Sequence, residues 1–142
     1  MRKDTMSQSE NAGRILVMEA FEHVHPDRCA DYEAAGVVID DKVKDSEPGM
    51  LVHALTRVKE TADAVTYRWL EIFEDSDAFA AHFDNPAVQE HVAKLNEGTL
   101  VAPTELVLYT AWSDDKKAQW RQKLSGAKLT FAPVLAGFYL TR

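Results

Sequence analysis

The sequence of 142 residues is poor in cysteine and in long apolar runs. The single cysteine, Cys29, excludes an internal disulfide and is typical of a protein from a reducing compartment. No stretch approaches the roughly 18 consecutive apolar residues of a membrane-spanning helix. The first residues, MRKDTMSQSENA, carry no apolar core for a signal peptide. We therefore expect a cytoplasmic protein that does not enter a membrane.

Basic residues are also scarce, because 16 lysines and arginines stand against 23 aspartates and glutamates. The resulting net charge of -7 repels phosphate backbones, so we expect no nucleic-acid partner. No Ser-His-Asp order, phosphate-binding loop or CxxC motif is present, which argues against a hydrolase or a nucleotide enzyme. The length fits a single domain that can bury its own core.

The first half of the chain predicts a strand, a helix and a hairpin. From Arg14 to Val24 the residues on both strand faces are mostly apolar, so we expect both faces to be covered. A helix follows from Pro26 to a point before Pro48. The runs 50–58 and 64–73 predict the hairpin. The apolar stripe of the helix is Cys29, Tyr32, Gly36, Ile39 and Val43.

The second half predicts helices first and then short strands. Ser76 is the expected cap of a helix that breaks at Asn85-Pro86, so two short helices are predicted. A strand over 105–112 precedes a helix that Ser113 caps and Gly126 ends. The stretches KLTF and GFYL predict edge strands.

This order predicts an α+β fold, namely a ferredoxin-like split βαβ sandwich with helices on one face of an antiparallel sheet. The other face is too apolar to meet water, which favours a homodimer packed sheet against sheet. We divide the chain into a flexible tail (1–12), the ferredoxin-like domain (13–112) and an extension of the same domain with a helix and edge strands (113–142).

The segment PGMLVHALTRV…YRWLEIFEDSDAFAAHFDNPAVQEHV resembles the antibiotic biosynthesis monooxygenase family, and the resemblance extends over roughly Ile15 to Trp112. It implies a dimeric α/β barrel that oxidises polycyclic phenols or quinols with dioxygen, without metal or flavin. Its marks are Pro48-Gly49 at the start of the second strand, Glu71 in the third, the acidic Glu74-Asp75 after it, and Ala81-His82 followed by Pro86.

The chain departs from this family pattern in its aromatic residues. Many relatives carry a tryptophan two residues after the strand glutamate, where this chain has Phe73, and Trp69 instead lies two residues before it. The haem-degrading relatives also use a strand asparagine that has no match here, and His91 is one position early for their histidine. The resemblance therefore disfavours a haem-degrading role.

Glu71 and His82 are the catalytic candidates, because strand parity and helix phase bring them together. A buried carboxylate beside His82 would raise the pKa of its imidazole. We therefore expect the pair to act as a general base or proton relay beside an aromatic substrate pocket. The predicted substrate-binding residues are Tyr67, Trp69, Phe73, His53, Phe79 and Phe83.

Several alternatives stay open. The Glu71–His82 pair is equally well read as a structural contact, and the chain as a non-catalytic dimeric module that binds a small apolar ligand. Glu19 is either a pocket acid or an interface charge, and His91 is expected at a helix edge, partly in solvent. His23 and His25 lack downstream metal ligands, so we predict no metal and no cofactor.

Overall fold

The computed structural model describes residues 2–4, 15–137 and 139–141, with side chains over 15–137. The strands are β1 (Arg2–Asp4), β2 (Leu16–Val24), β3 (Met50–Glu60), β4 (Val65–Phe73), β5 (Glu105–Tyr109), β6 (Lys128–Phe131) and β7 (Tyr139–Thr141). The helices are α1 (Cys29–Ser46), α2 (Ser76–Asp84), α3 (Pro86–Leu95) and α4 (Asp114–Lys123), and a 3-10 turn (Pro26–Arg28) precedes α1.

Five strands form one sheet in the order β3-β4-β2-β5-β6. Neighbouring strands are antiparallel except β5 and β6, which run parallel. With the four helices, this sheet confirms the predicted ferredoxin-like α+β fold. The strand predicted over 105–112 ends earlier, at Tyr109, because Trp112 leaves the sheet to pack in the core.

The two chain ends meet in a separate two-stranded sheet, in which β1 and β7 pair antiparallel. The tail expected over 1–12 thus contributes β1, while residue 1 and residues 5–12 lie outside the described residues. The KLTF and GFYL stretches both contain strands, namely β6 at the edge of the main sheet and β7 beside β1. Within the described residues, no helix is both long and apolar enough to cross a membrane.

Helix α1 buries the predicted stripe Cys29, Tyr32, Gly36, Ile39 and Val43. Gly36 favours close packing, because a Cβ there would lie 2.8 Å from Cδ2 of Leu55 on β3 and 3.7 Å from the Trp69 ring, so the Leu55 side chain would have to move. The glycine therefore lets α1 lie close to the sheet. This approach places the C-terminal half of α1 beside the strands that carry the candidate site.

Asp75, and not Ser76, caps helix α2. The Asp75 carboxylate accepts a hydrogen bond from the Ala78 amide at 2.8 Å, and its backbone has the extended geometry of a capping residue. Ser76 is the first helical residue, so the prediction was wrong by one position. Asn85 caps α3 through the Ala87 amide, with Pro86 at its start, and Ser113 caps α4 as predicted.

The helices cover one face of the sheet, and the main core lies between the helices and that face. Its most buried aromatic residues are Phe73 and Phe79, which are fully inaccessible to solvent. A smaller core, which includes Tyr32 and Tyr67, lies beside the main one. The opposite face of the sheet is only half-buried in the single chain. Its residues include Val17, Phe21, Val52, Leu70, Ile72 and Val107.

Candidate functional site

A cavity of about 260 Å³ lies between the sheet and the helices. Its volume is close to the lower end of the roughly 300–1,000 Å³ range of small-molecule sites. The wall combines apolar side chains with a few buried ionisable ones, as is usual for a ligand site. The lining includes Met18, Ala20 and Glu22 of β2, His53 of β3, Trp69 and Glu71 of β4, His82, Phe83, Val88, His91 and Val92 of the helices, and Lys123, Leu124, Gly126 and Ala127 near the C-terminus.

Glu71 and His82 meet at this wall, as strand parity and helix phase predicted. The Nε2 atom of His82 lies 3.0 Å from Oε1 of Glu71. On its other side, Nδ1 of His82 donates to Oε1 of Glu47 at 2.9 Å. Glu47 also accepts a hydrogen bond from the Asn85 side chain at 2.8 Å. The His82 ring is thus held between two buried carboxylates that fix its orientation.

His53 reaches the same carboxylate from β3. Its Nε2 lies 3.5 Å from Oε1 of Glu71, and its Nδ1 is hydrogen-bonded to Oδ1 of Asp40 at 2.8 Å. The His53 ring stacks on Trp69 with 4.2 Å between ring centroids. Glu71 therefore stands between two imidazole rings, each of which is anchored by a further carboxylate.

These contacts decide the charge of each group. Burial alone would lower the pKa of His82, but the charge of Glu71 and the hydrogen bonds to Glu47 and Glu71 raise it to about 9. Burial alone would raise the pKa of Glu71, yet the two histidines lower it to about 2. The pKa of His53 is also raised, because Glu71 and Asp40 outweigh its burial. His82 therefore holds its second proton at neutral pH, while Glu71 stays ionised.

Glu22 forms a second polar point on the cavity wall. It accepts a hydrogen bond from the Tyr32 hydroxyl at 2.7 Å and a longer one from Thr104 at 3.3 Å. Burial raises the pKa of Glu22, and the hydrogen bond from Tyr32 only partly opposes that rise. The wall thus carries a buried carboxyl group that releases its proton less readily than an exposed glutamate does.

His91 lines the same cavity from α3 and is half-buried. Burial lowers the pKa of His91, and the nearby positive charge of His53 lowers it further. No hydrogen bond to its ring occurs among the described residues. The sequence predicted only the helix-edge position of His91. The structure adds that the ring lines the cavity, where its imidazole is neutral at neutral pH.

Trp69, His53 and Phe83 line the cavity as predicted, whereas Tyr67, Phe73 and Phe79 do not. Phe73 and Phe79 pack edge to face at 5.3 Å in the core. Neither ring borders the cavity, so the predicted place of these two residues in its lining was wrong.

Tyr67 lies outside the cavity because it belongs to the other core. Its ring packs against Tyr32 at 4.4 Å, and its hydroxyl donates to Glu33. Strand parity placed Tyr67 on the correct side of the sheet, but the cavity does not extend along the strand to its position.

Three carboxylates at or next to the cavity were not predicted from the sequence, namely Glu22, Asp40 and Glu47. Glu22 had a readable signal, because it shares its strand face with the apolar Met18 and Ala20 and is therefore an acid at an inward position. Asp40 and Glu47 gave no such signal. Asp40 lies beside the buried stripe of α1, and Glu47 lies just after the last helical residue.

His23 and His25, the pair considered as metal ligands, are not part of the cavity lining. His23 bonds to Thr66 at 2.8 Å and to Glu105 at 2.7 Å, and His25 is exposed. Glu19 also lies outside the lining, where it pairs with Arg68 at 3.3 Å and accepts the Tyr109 hydroxyl.

Two histidines and one glutamate of the site have the donor set of a metal centre. One ligand atom from each of His53, Glu71 and His82 lies within 4.8 Å of the other two. Two imidazole nitrogens and a carboxylate oxygen suit divalent transition metals.

Comparison with known proteins gives one family. The model of the antibiotic biosynthesis monooxygenase family matches residues 14–94, which include the His53, Glu71 and His82 cluster. None of the curated proteins matches the chain.

Solved structures share the fold. A protein from Caulobacter crescentus CB15 that is described by the same family name is 26% identical, with a TM-score of 0.63 over 71% of this chain and 92% of that chain. MupZ from Pseudomonas fluorescens is 16% identical, with a TM-score of 0.65 over 89% of this chain and 95% of its own. A conserved protein from Methanosarcina mazei Go1 is 18% identical, with a TM-score of 0.59 over 70% of this chain and 95% of that chain.

Proposed function

Because the chain belongs to the antibiotic biosynthesis monooxygenase family, we propose that it oxidises an aromatic or quinol-type small molecule with dioxygen and needs no cofactor. The observation that carries this proposal is the His82–Glu71 pair in the wall of a cavity that Trp69 and Phe83 also line. An electron-rich phenolate can pass electrons to dioxygen itself, so the protein has to bind the substrate, exclude water and move protons.

Different residues of the cavity accept and donate protons in this proposal. His91 is the neutral imidazole, and it takes the proton of the substrate hydroxyl. His82 already holds its proton at neutral pH, so it acts with Glu71 as a relay and proton donor. One oxygen atom enters the substrate and the other leaves as water, with all electrons supplied by the substrate. The aromatic walls stack against the substrate rings.

We also propose that the working form is a homodimer. The sheet face opposite the helices carries Val17, Phe21 and Ile72, which are only half-buried in the single chain. A second copy packed against this face would cover them. Sedimentation at micromolar concentration should give a dimer, and a stable monomer would contradict the sheet-to-sheet arrangement. The single buried cysteine fits a reducing compartment, so we place this dimer in the cytoplasm.

The experiment is an oxygen-consumption screen of the purified protein against hydroquinones and anthrones. With an active substrate, His82→Ala should lower turnover by about 10² to 10⁴-fold, a typical loss for an acid–base group. Glu71→Gln should lower it as well, and the two losses should not add because both changes disable one relay.

The matched control is His25→Ala, which removes an exposed imidazole outside the cavity lining and should leave turnover unchanged. Melting temperatures of all variants separate a lost relay from a lost fold. Full turnover in a stably folded His82→Ala variant would exclude a catalytic role for this histidine.

A second candidate function is a non-catalytic module that binds a small apolar ligand. It is favoured by the hydrogen bonding of the site, in which both ring nitrogens of His82 already face carboxylates, as a structural pair would require. Ligand binding without oxygen uptake across the whole screen would select this function over the oxygenase.

A further inference from the structure

We propose that His53, Glu71 and His82 form a binding site for one divalent first-row transition metal ion, with Zn²⁺, Co²⁺ and Fe²⁺ as the class of ligand. The site goes beyond the proposed oxygenase function and does not depend on it, because metal binding is measured without a substrate. The argument rests on the spacing of three ligand atoms, on the groups behind them and on the cavity in front of them.

The spacing suits a metal ion. Ligand atoms about 2.1 Å from a common ion lie about 3.0–3.4 Å apart in octahedral or tetrahedral geometry. Oε1 of Glu71 lies 3.0 Å from Nε2 of His82 and 3.5 Å from Nε2 of His53. The imidazole ligand atoms are within 4.8 Å of each other, so a small rotation of the rings closes the set.

The groups behind the rings direct the correct nitrogens inward. Nδ1 of His53 faces Asp40 at 2.8 Å, and Nδ1 of His82 faces Glu47 at 2.9 Å. A carboxylate at Nδ1 holds a proton there, which is the usual outer arrangement of metal-bound histidine. Without metal, the protonated His82 ring points its Nε2 proton at Glu71. A divalent ion that binds at the three atoms displaces that proton and then contacts both Nε2 atoms and the carboxylate.

The cavity provides the remaining coordination positions. All three residues line it, and the side chains of Glu71 and His82 are only 5% and 6% exposed. Three protein ligands with an open side are typical of a site that also binds water or a small molecule. Two histidines and one carboxylate with open positions are the ligand set of many mononuclear iron sites.

The test uses the full chain without a polyhistidine tag, dialysed against a chelator and titrated with Co²⁺ while its visible absorbance is recorded. Calorimetric titration with Zn²⁺ gives the stoichiometry. We expect one ion per chain. His53→Gln and His82→Gln keep a hydrogen-bond donor toward Glu71 but remove a ligand, so each should weaken binding by more than the roughly 10- to 100-fold that loss of an outer partner costs.

Two further variants make the result specific. Asp40→Asn leaves all three ligands in place and should weaken binding about 10- to 100-fold, because it changes only the partner of His53. His25→Gln removes an exposed histidine and should bind as the unaltered protein does. Circular dichroism of each variant confirms the fold before titration.

Two results would overturn the site. Either the unaltered protein takes up no ion, or binding persists undiminished in folded His53→Gln and His82→Gln variants.

Oxygen uptake is then followed with and without the ion. The ion and the proton relay use the same atoms, so bound metal should inhibit the proposed reaction. Activity that appears only with metal would instead overturn the cofactor-free mechanism and leave the metal site supported.

Discussion

Glu22 and Glu71 lie on neighbouring strands, point to the same side of the sheet and line one cavity, yet their pKa values are shifted in opposite directions. Both are nearly inaccessible to solvent, with 6% and 4% of their surface exposed. The pKa of Glu22 is raised by burial, whereas that of Glu71 is lowered to about 2 despite its burial. Burial imposes the same kind of cost on both carboxylates, so burial alone cannot explain the difference.

The groups that contact the two glutamates explain the difference between their pKa values. Glu71 faces two imidazoles that can hold positive charge, and each imidazole is supported by a further carboxylate. Glu22 faces the hydroxyls of Tyr32 and Thr104, which donate hydrogen bonds but bring no charge. The cavity is therefore ionic at the histidine cluster, whereas at Glu22 it carries a carboxyl group with a raised pKa and no cationic partner.

The largest effect should come from neutralising each glutamate in turn. Glu71→Gln leaves two buried imidazoles without their shared counter-charge, so we expect a loss of about 3–5 kcal/mol in the free energy of unfolding. Glu22→Gln changes a carboxyl group that faces the hydroxyls of Tyr32 and Thr104, so no buried cation loses its partner and stability should change by less than about 1 kcal/mol. Urea unfolding at neutral pH measures both. Equal losses would contradict the different roles of the partners of the two glutamates.

A smaller effect is expected from pH. His82 has a raised pKa, so its stabilising contribution is complete below about 6.5 and is lost as the pH rises through about 9. The contribution of Glu71 is present above its ordinary pKa of 4.5 and is lost as the pH falls toward 2. The melting temperature should therefore fall between pH 6.5 and 9.5 by an amount on the order of 5 °C.

The matched variant for this pH experiment is His82→Gln, which should give a flatter curve over the same range. Glu22→Gln tests the opposite sign, because ionisation of a buried acid destabilises the folded protein as pH rises. Its melting temperature should gain on that of the unaltered protein as the pH rises above the ordinary glutamate pKa of 4.5. If the curves of melting temperature against pH ran parallel for the unaltered protein and both variants, the charge pairing of His82 with Glu71 would be refuted.

The smallest effect concerns the hydroxyl that supports Glu22. Tyr32→Phe removes the donor at 2.7 Å from the carboxyl and should cost about 0.5–1.5 kcal/mol in urea unfolding. Tyr109→Phe is the control, since its hydroxyl donates to Glu19, which is outside the cavity lining and less buried. A larger loss for Tyr109→Phe would show that burial of the acceptor does not decide the value of these hydrogen bonds.

The sequence predicted the frame of the site because periodicity gives direction. Alternation along β4 placed Glu71 inward, and the phase of α2 placed His82 on its apolar face, so their meeting followed from two regular elements. The buried stripe of α1 was predicted residue by residue for the same reason. Phe73 and Phe79 show the limit of this reasoning. Periodicity gives the face of an element but not the depth or extent of the cavity beside it.

The remaining parts of the site depend on irregular positions. Glu47 follows the last residue of α1, where helical phase no longer applies, and it reaches His82 only because Pro48 and Gly49 turn the chain back toward β3. Asp40 lies on the shoulder of α1, and its use depends on how closely that helix approaches β3. Such contacts follow from packing distances, which a pattern of residue types does not contain.

The cavity is lined both by residues inside the segment that matches the family and by residues after it. The family match ends at residue 94, before Leu124 and Ala127, which close one side of the cavity near the end of α4. The histidines and glutamates to which we assign proton transfer all lie in the earlier part. Under the proposed function, exchange of the segment from α4 to β6 would change which molecule fits while the proposed relay stays as it is. Substrate choice and proton transfer would then depend on different stretches of the chain.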